Sequence, residues 1–503
     1  MRSAPPAGMY IPEKASTGIP GLDDVLGGGF PAYRLNLLEG SPGTGKTTLE
    51  LQFLLEGARR GETVFYVTLS ETESELREVA QSHGWNLDGV MVSELSPNEE
   101  SLRPEEQYTV FHPAEVELGE TTWAVLEEAE RSRPSRVVFD SLSELRLLAR
   151  DPLRYRRQIL GLKQFFAERH CTVLLLDSMD SPEAGIESIC HCVTLLEHLS
   201  PEYGSSERRR LRVVKRRGSS YRGGYHDMVI RTGGITVFPS LIAAEHPAEP
   251  APGQVMSGVP ELDSLTGGGL DRGTSTLLMG PAGVGKSALA TQYALSAAQR
   301  GENVSAYIFD ESVATYLNRA RGLGVDVEPL VRDGLITLNH MDPAQFSPGE
   351  FDALVRRAVE EGDARLIIID SLNGYLNAMA EEHLVLLQLH ELLTYLGRKG
   401  VLTIMTIAQH GVIGDRMQAP IDVSYLADSV IMLRFFEASG EIRQAISVVK
   451  RRGGAHERTI REFRMGPGLR VGLPLHNFRG VLSGTPAYTG PEGSLLTDGE
   501  REL

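Results

Sequence analysis

The chain has 503 residues, 41% of them apolar and 23% charged, with a net charge of −17 and only three cysteines. That length supports two or three domains with sizeable cores, and the composition fits a globular protein. No apolar run reaches the ~18 residues of a membrane helix, the start lacks the apolar core of a signal peptide, and the acid excess argues against a broad nucleic-acid footprint. These readings point to the cytoplasm and to no membrane partner.

In chain order, the apolar run Leu35–Leu38 predicts a strand, followed by the phosphate-binding loop Gly40-Ser41-Pro42-Gly43-Thr44-Gly45-Lys46-Thr47 and a helix from Lys46. A strand over Thr63–Leu69 and a helix over Glu73–Ser82 follow. Then come a strand over Arg136–Phe139, a helix over Leu153–Arg169 and a strand over Thr172–Leu176. Residues 91–130 carry eleven Asp/Glu against one Arg, which reads as a solvated acidic face. The Cys190-His191-Cys192 triplet lacks a second ligand pair and reads as packing rather than as a metal site.

The same order then returns about 230–240 residues later. Thr276–Met279 leads to Gly280-Pro281-Ala282-Gly283-Val284-Gly285-Lys286-Ser287 and a helix from Lys286. Asn303–Phe309, Leu366–Ile369, a helix over Glu382–Arg398 and Val401–Ile407 follow. The lead-in Ser16-Thr17-Gly18-Ile19-Pro20-Gly21-Leu22-Asp23 recurs as Ser257-Gly258-Val259-Pro260-Glu261-Leu262-Asp263. A unit this long is a duplicated domain, not a solenoid repeat. Expected boundaries are 1–240 and 257–483 for the two domains, 241–256 for a Pro-containing linker, and 484–503 for a C-terminal tail. Apolar strands alternating with helices predict, in each half, a mostly parallel sheet covered on both faces. The strands Val193–Glu197, Leu211–Lys215, Asp428–Leu433 and Ala445–Lys450 predict an antiparallel extension.

Each loop brings its own chemistry. Backbone N–H groups of Gly43, Thr44, Gly45, Lys46, Thr47 and Thr48, and of Gly283, Val284, Gly285, Lys286, Ser287 and Ala288, are candidates to cradle phosphates. Lys46 and Lys286 would reach the β/γ-phosphates of ATP, and Thr47 and Ser287 would hold Mg²⁺. Asp140 and Asp370, each ending an apolar strand, are the carboxylates placed for the Mg²⁺ water shell. Hydrolysis needs a carboxylate that orients water, and the candidates are Glu71 after Ser70, and Asp310 with Glu311; Asp310 is also a candidate toward the metal. Ser70 and Asp310 also suit helix N-caps. Lys215 with Arg217, and Lys450 with Arg452, are candidate cations for transition-state charge.

The repeated Ser-Thr-Gly-Ile-Pro-Gly-Leu-Asp lead-in, the Gly-Gly-Gly turn, the phosphate loop, the Asp-Ser-Leu strand end and Lys-x-Arg-Gly together resemble the KaiC family of double-domain RecA-like ATPases, from about Ser16 to Gly484. The resemblance implies two tandem RecA-like P-loop domains, stacked as the two rings of an ATP-dependent homohexamer. It implies ATP at subunit interfaces with the Lys-x-Arg elements acting in trans, and a regulated partner protein. Ser82 matches a family position near the nucleotide, and Ser424 a phosphoacceptor position. The family's paired glutamates are Ser70-Glu71 and Asp310-Glu311 here, and its second acceptor is Tyr425. Mg²⁺-dependent ATP hydrolysis is therefore expected, with the second domain the stronger hydrolase because it keeps two carboxylates. The competing readings are an autokinase acting on Ser424, a DNA-dependent motor of RecA type, and a scaffold that ATP merely holds together. Timekeeping is not carried over.

Overall fold

The computed structural model describes residues 13–95, 113–149, 151–178, 185–199, 207–249, 252–342, 345–377, 382–409, 423–438, 440–482 and 486–489. The middle of the acidic run, two residues of the expected linker and most of the expected tail lie outside the described residues. The chain forms two compact units, Met1–Ser240 and Leu241–Leu503.

Nine strands build the sheet of the first unit: β1 (Leu35–Gly40), β2 (Val64–Thr68), β3 (Val90–Glu94), β4 (Arg136–Asp140), β5 (Thr172–Asp177), β6 (Cys192–Leu199), β7 (Arg208–Arg216), β8 (His226–Arg231) and β9 (Gly234–Phe238). Their spatial order is β3-β2-β4-β5-β1-β6-β7-β8-β9. The pairs from β3 through β6 are parallel, and those from β6 to β9 antiparallel. The second unit repeats this order with β10 (Ser275–Gly280), β11 (Asn303–Ile308), β12 (Ile336–His340), β13 (Ala364–Asp370), β14 (Leu402–Ala408), β15 (Ser429–Ala438), β16 (Glu441–Arg451), β17 (Arg461–Gly466) and β18 (Gly468–Pro474). Two sheets threaded identically make the duplication a structural fact: the fold is two tandem RecA-like α/β domains. One expectation shifts. β6 and β15, assigned above to the antiparallel extension, pair in parallel with the loop strands, and the antiparallel part begins one strand later.

The apolar runs bury both faces of the sheet. Along β4 and β5, Val137, Phe139, Val173 and Leu175 enter one core layer, while Val138, Leu174 and Leu176 enter the other. That alternation is the period of a strand, and a strand buried on both sides reads as continuous Val/Leu/Phe. Leu175 is fully buried; truncating such a residue to Ala costs ~2–5 kcal/mol. The helix Lys46–Arg59 covers the second layer through Leu49, Leu51, Phe53 and Leu54. Cys190 and Cys192 are buried in opposite layers, and burial pushes the Cys192 thiol up to about 11.

The repeated lead-in is a structural device. In the first unit Ser16 and Thr17 hydroxyls donate to Asp23, as does the Thr17 amide at 2.9 Å; in the second the Ser257 amide donates to Asp263 at 2.7 Å. The beginning of the expected linker belongs to the second unit. Leu241 and Ala243 join its core, and the Ala243 amide donates to Glu391 on the helix Glu382–Arg398. Among the described residues no helix is long and apolar enough to cross a membrane.

Candidate nucleotide site

Each sheet brings its phosphate loop to one place: the C-terminal end of β1 or β10, between a parallel neighbour on either side. Connections leave in opposite directions there, which opens a crevice above the strand ends. Gly43 and Gly45 have φ of 78° and 100°, and Gly283 and Gly285 76° and 107°. Only glycine adopts these angles without strain. A Cβ on Gly45 would also meet Ile230 Cδ1 at 2.5 Å, and one on Gly285 would meet Met465 Sδ at 2.5 Å. Thr44 and Val284 bury their side chains and offer only backbone to the crevice. Neither loop helix has a side-chain N-cap, so its first N–H groups and positive dipole end are left for an anion. Thr47 and Ser287 lie half-buried in that first turn, beside Thr48 and Ala288.

Both lysines lie along their loops. Lys46 Nζ donates to the Gly40 and Ser41 carbonyls at 2.6 and 3.2 Å, and Lys286 Nζ to Gly280 and Pro281 at 3.0 and 2.8 Å. Burial lowers Lys286 to about 8, against the opposing pull of Asp370 and Asp310.

The two carboxylates that end β4 and β13 are held differently. The Tyr66 hydroxyl donates at 2.5 Å to Glu50, a fully buried acid on the loop helix, and lies 3.0 Å from Asp140. Burial raises Asp140, and it raises Glu50 well above the usual carboxylate range with help from Asp140. Asp370 instead accepts from Thr406 at 2.5 Å. Among the described residues no group of three or more His, Cys, Asp or Glu is placed to hold a metal. A hydroxyl plus one strand-end carboxylate still suits Mg²⁺ in a phosphate site, since that ion keeps waters and takes substrate oxygens.

The water-orienting candidates diverge most. The N-caps are Thr72, in a capping box with Glu75, and Ser312, not Ser70 and Asp310. The reason is that the helices begin two residues later than the cap reading required, which leaves Glu71, Asp310 and Glu311 in the turn facing the strand ends. Glu71 is raised by burial and by the charges of Asp140 and Glu75, and its Oε2 is buried without a hydrogen-bond partner among the described residues. Asp310 accepts from Ser371 at 2.5 Å, and Glu311 Oε1 accepts from Arg319 Nη2 and Nε at 2.5 and 3.2 Å.

Several candidates sit away from their own loop. Lys215 pairs in register with Val193, and Val193 with Leu37, three residues before Gly40. Lys450 pairs with Val430, and Val430 with Leu277, three before Gly280. Two strands across and three residues down is ~14 Å. Lys215 donates to the Glu187 carbonyl and Arg217 to that of Ser188 at 2.9 Å. Lys450 donates to the carbonyls of Ser424 and Ala427 at 2.9 and 2.8 Å, and Arg452 to Tyr425 and Asp428. Ser424 is thus gathered with Lys450 and Arg452 at the end of the sheet opposite the loop. Ser82 is exposed and donates to the Val79 carbonyl at 2.7 Å; the next residue, His83, stacks on Trp85 and meets the Arg231 carbonyl beside β8.

Sequence reasoning missed Glu50, Tyr66, Arg209 and Arg319. Glu50, inside the apolar run Leu49-Glu50-Leu51, carried a readable signal: an acid on a buried helix face wants a partner. Arg209, whose Nε lies 3.1 Å from the Gly43 carbonyl, carried none within its arginine-rich strand.

The sequence matches the family described as "ATPase: KaiC" over residues 15–242 and again over 255–471. It is 27% identical over 494 residues to the circadian clock protein KaiC3 of Synechocystis sp., with 95% of each chain covered. It is 28% identical to the circadian clock oscillator protein KaiC of Parasynechococcus marenigrum, covering 94% of this chain and 93% of that one. The KaiC of Synechococcus elongatus is also 28% identical, with 94% and 92% covered. With a family match over each repeat and two identically ordered sheets carrying complete phosphate loops, the chain belongs to the KaiC family of ATPases.

Proposed function

We propose that this chain is a Mg²⁺-dependent ATPase of the cytoplasm that closes into a double-ring homohexamer, and that its nucleotide state regulates a partner protein. The observation that carries the reading is the position of the Lys-x-Arg elements. They end β7 and β16 ~14 Å from their own loops, beyond the reach of their own side chains, so the phosphate they serve is a neighbour's.

In this reading the loop N–H groups with Lys46 or Lys286 hold the phosphates, and Ser82 lies on the nucleoside side of unit 1. Thr47 with Asp140, and Ser287 with Asp370 and Asp310, would hold Mg²⁺, which neutralises charge on the β- and γ-oxygens. Glu71 and Glu311 orient the attacking water and accept its proton. The neighbour's Lys215 and Arg217, or Lys450 and Arg452, meet the charge that grows on the transferring group. We rank unit 1 as the faster hydrolase, reversing the order that carboxylate counting gave, because among the described residues no cation pairs with Glu71, whereas Glu311 is held by Arg319.

Light scattering with and without Mg-ATP, combined with phosphate release, tests the reading. ATP should drive assembly, and Lys46→Ala should weaken it. A chain that stays monomeric at micromolar concentration in saturating ATP would sink the proposal. Release unaffected by DNA is expected from the acid balance, whereas DNA stimulation would favour the motor reading. Assembly without turnover would favour the scaffold.

A further inference from the structure

In the second unit a run of polar contacts leads from the phosphate loop to the water-orienting glutamate. The Thr291 hydroxyl lies 2.7 Å from the Ser287 carbonyl and 2.8 Å from the Tyr316 hydroxyl. The Arg319 guanidinium sits over the Tyr316 ring, 5.0 Å from its centre. Arg319 then places two nitrogens on one oxygen of Glu311, at 2.5 and 3.2 Å. Each link joins a different part of the site: the first turn of the loop helix, the next helix (Val313–Gly322) and the turn after β11.

The first unit has the same backbone but none of these groups. Counting from Glu71 as from Glu311, Leu51 stands for Thr291, Leu76 for Tyr316 and Val79 for Arg319. Leu51 and Leu76 are fully buried in the core layer beneath the loop helix, and Val79 packs against it. The contrast is one of chemistry at matched positions, not of fold.

We propose that Arg319 is a positioning residue that restrains Glu311, and that Tyr316 and Thr291 tie this restraint to the phosphate loop. This rests on the reading of Glu311 as the carboxylate that handles water. Two N–H groups of a permanently charged guanidinium on Oε1 take that oxygen out of use and fix the direction of the other, so the carboxylate meets water only in the orientation the ion pair allows. Unit 2 therefore turns over below the rate its glutamate supports. Because Arg319 also leans on Tyr316, a change in the first turn of the loop helix on nucleotide binding is felt at the clamp.

The test uses the full chain in a Glu71→Gln background, so that unit 2 dominates turnover. Arg319→Val, which installs the residue of the first unit, should raise kcat about three- to ten-fold with KM nearly unchanged, the range that one half-buried ion pair supports. Arg319→Lys keeps the charge and loses the fork, and should fall between. Arg319→Gln, whose stem still covers Tyr316, serves if the valine variant folds poorly. The acceleration should vanish when Glu311→Gln is added. An unchanged or lower kcat, or an acceleration that survives Glu311→Gln, overturns the restraint. If Glu311→Gln alone leaves the background rate untouched, the role of Glu311 is what fails, and the restraint falls with it.

Discussion

Tyr66 donates its hydroxyl to Glu50 across 2.5 Å inside the core of the first unit, with Asp140 at 3.0 Å on the other side. One hydroxyl therefore serves a fully buried acid and the carboxylate that ends β4. Burial and the nearby Asp140 raise Glu50 far above its ordinary range, and the tyrosine bond partly offsets this. Tyr66→Phe removes the donor and leaves the acid buried, which costs ~1–3 kcal/mol. Adding Glu50→Leu removes the orphan and should recover most of that loss. Urea midpoints for the single and double variants check it, and a neutral Tyr66→Phe would contradict it.

The distance between Lys-x-Arg and its own loop leads to a complementation experiment. In a Glu311→Gln background, Glu71→Gln should spoil a site from within, and Arg217→Ala should spoil the site of a neighbour. Each variant alone should lose ~10²-fold or more in phosphate release. Mixed in equal amounts and reassembled, about a quarter of interfaces join an intact Glu71 to an intact Arg217 if subunits combine at random. Measurable recovery on mixing is the expected outcome. No recovery, with mixed rings confirmed by mass, would place Arg217 outside the neighbour's site.

Glu39 gives the clearest pH signature. It is the penultimate residue of β1, and burial raises it to about 7, with the charges of Glu187 and Asp177 adding to the effect. A carboxyl raised on folding favours the native state while protonated. Its contribution is full below the ordinary value of 4.5 and is lost as pH rises through about 7. After allowance for its partial exposure the loss is about 1–2 kcal/mol. Glu39→Gln should therefore raise Tm at pH 8 and change little at pH 5. Equal shifts at both pH values would rule this account out.

The parts legible in the sequence are those where one residue type is forced by local geometry. Gly43, Gly45, Gly283 and Gly285 need left-handed backbone, so the loops declared themselves, and the two-faced strands declared a covered parallel sheet. The edge strands β3 and β12 did not, because Val90-Met91-Val92-Ser93-Glu94 and Ile336–His340 are half-exposed and short. The helix Pro113–Ser132 was missed because its acidic run reads as a solvated face, and the amphipathic helix Pro348–Glu360 was missed although its period was there to read. Within the site, the pairings Glu50–Tyr66 and Glu311–Arg319 escaped because partners on separate elements meet only in three dimensions. Counting carboxylates ranks the second unit first; the ion pair on Glu311, which such counting cannot see, is the basis of the opposite ranking proposed above.

The position of Ser424 separates two kinds of phosphoryl chemistry. Asp428 bonds through its backbone to Ser275, the first residue of β10, whereas the loop starts at Gly280. Five residues of strand put ~16 Å between these ends, while an attacking oxygen must come within ~3.5 Å of phosphorus. Transfer to Ser424 from the ATP of its own unit is thereby excluded, and only a neighbour's nucleotide remains. Lys450 and Arg452 pin the backbone carbonyls of Ser424, Tyr425 and Ala427. The adjacent residue is the exposed Tyr425 rather than a second aliphatic hydroxyl. We expect water to be the acceptor. Incubation with γ-labelled ATP should leave the same background label in the natural chain and in Ser424→Ala, with phosphate release unchanged. Stoichiometric label lost in Ser424→Ala would overturn this. Lys286→Ala subunits that carry Ser424, mixed with Ser424→Ala subunits that carry Lys286, would then regain label if transfer crosses between neighbours.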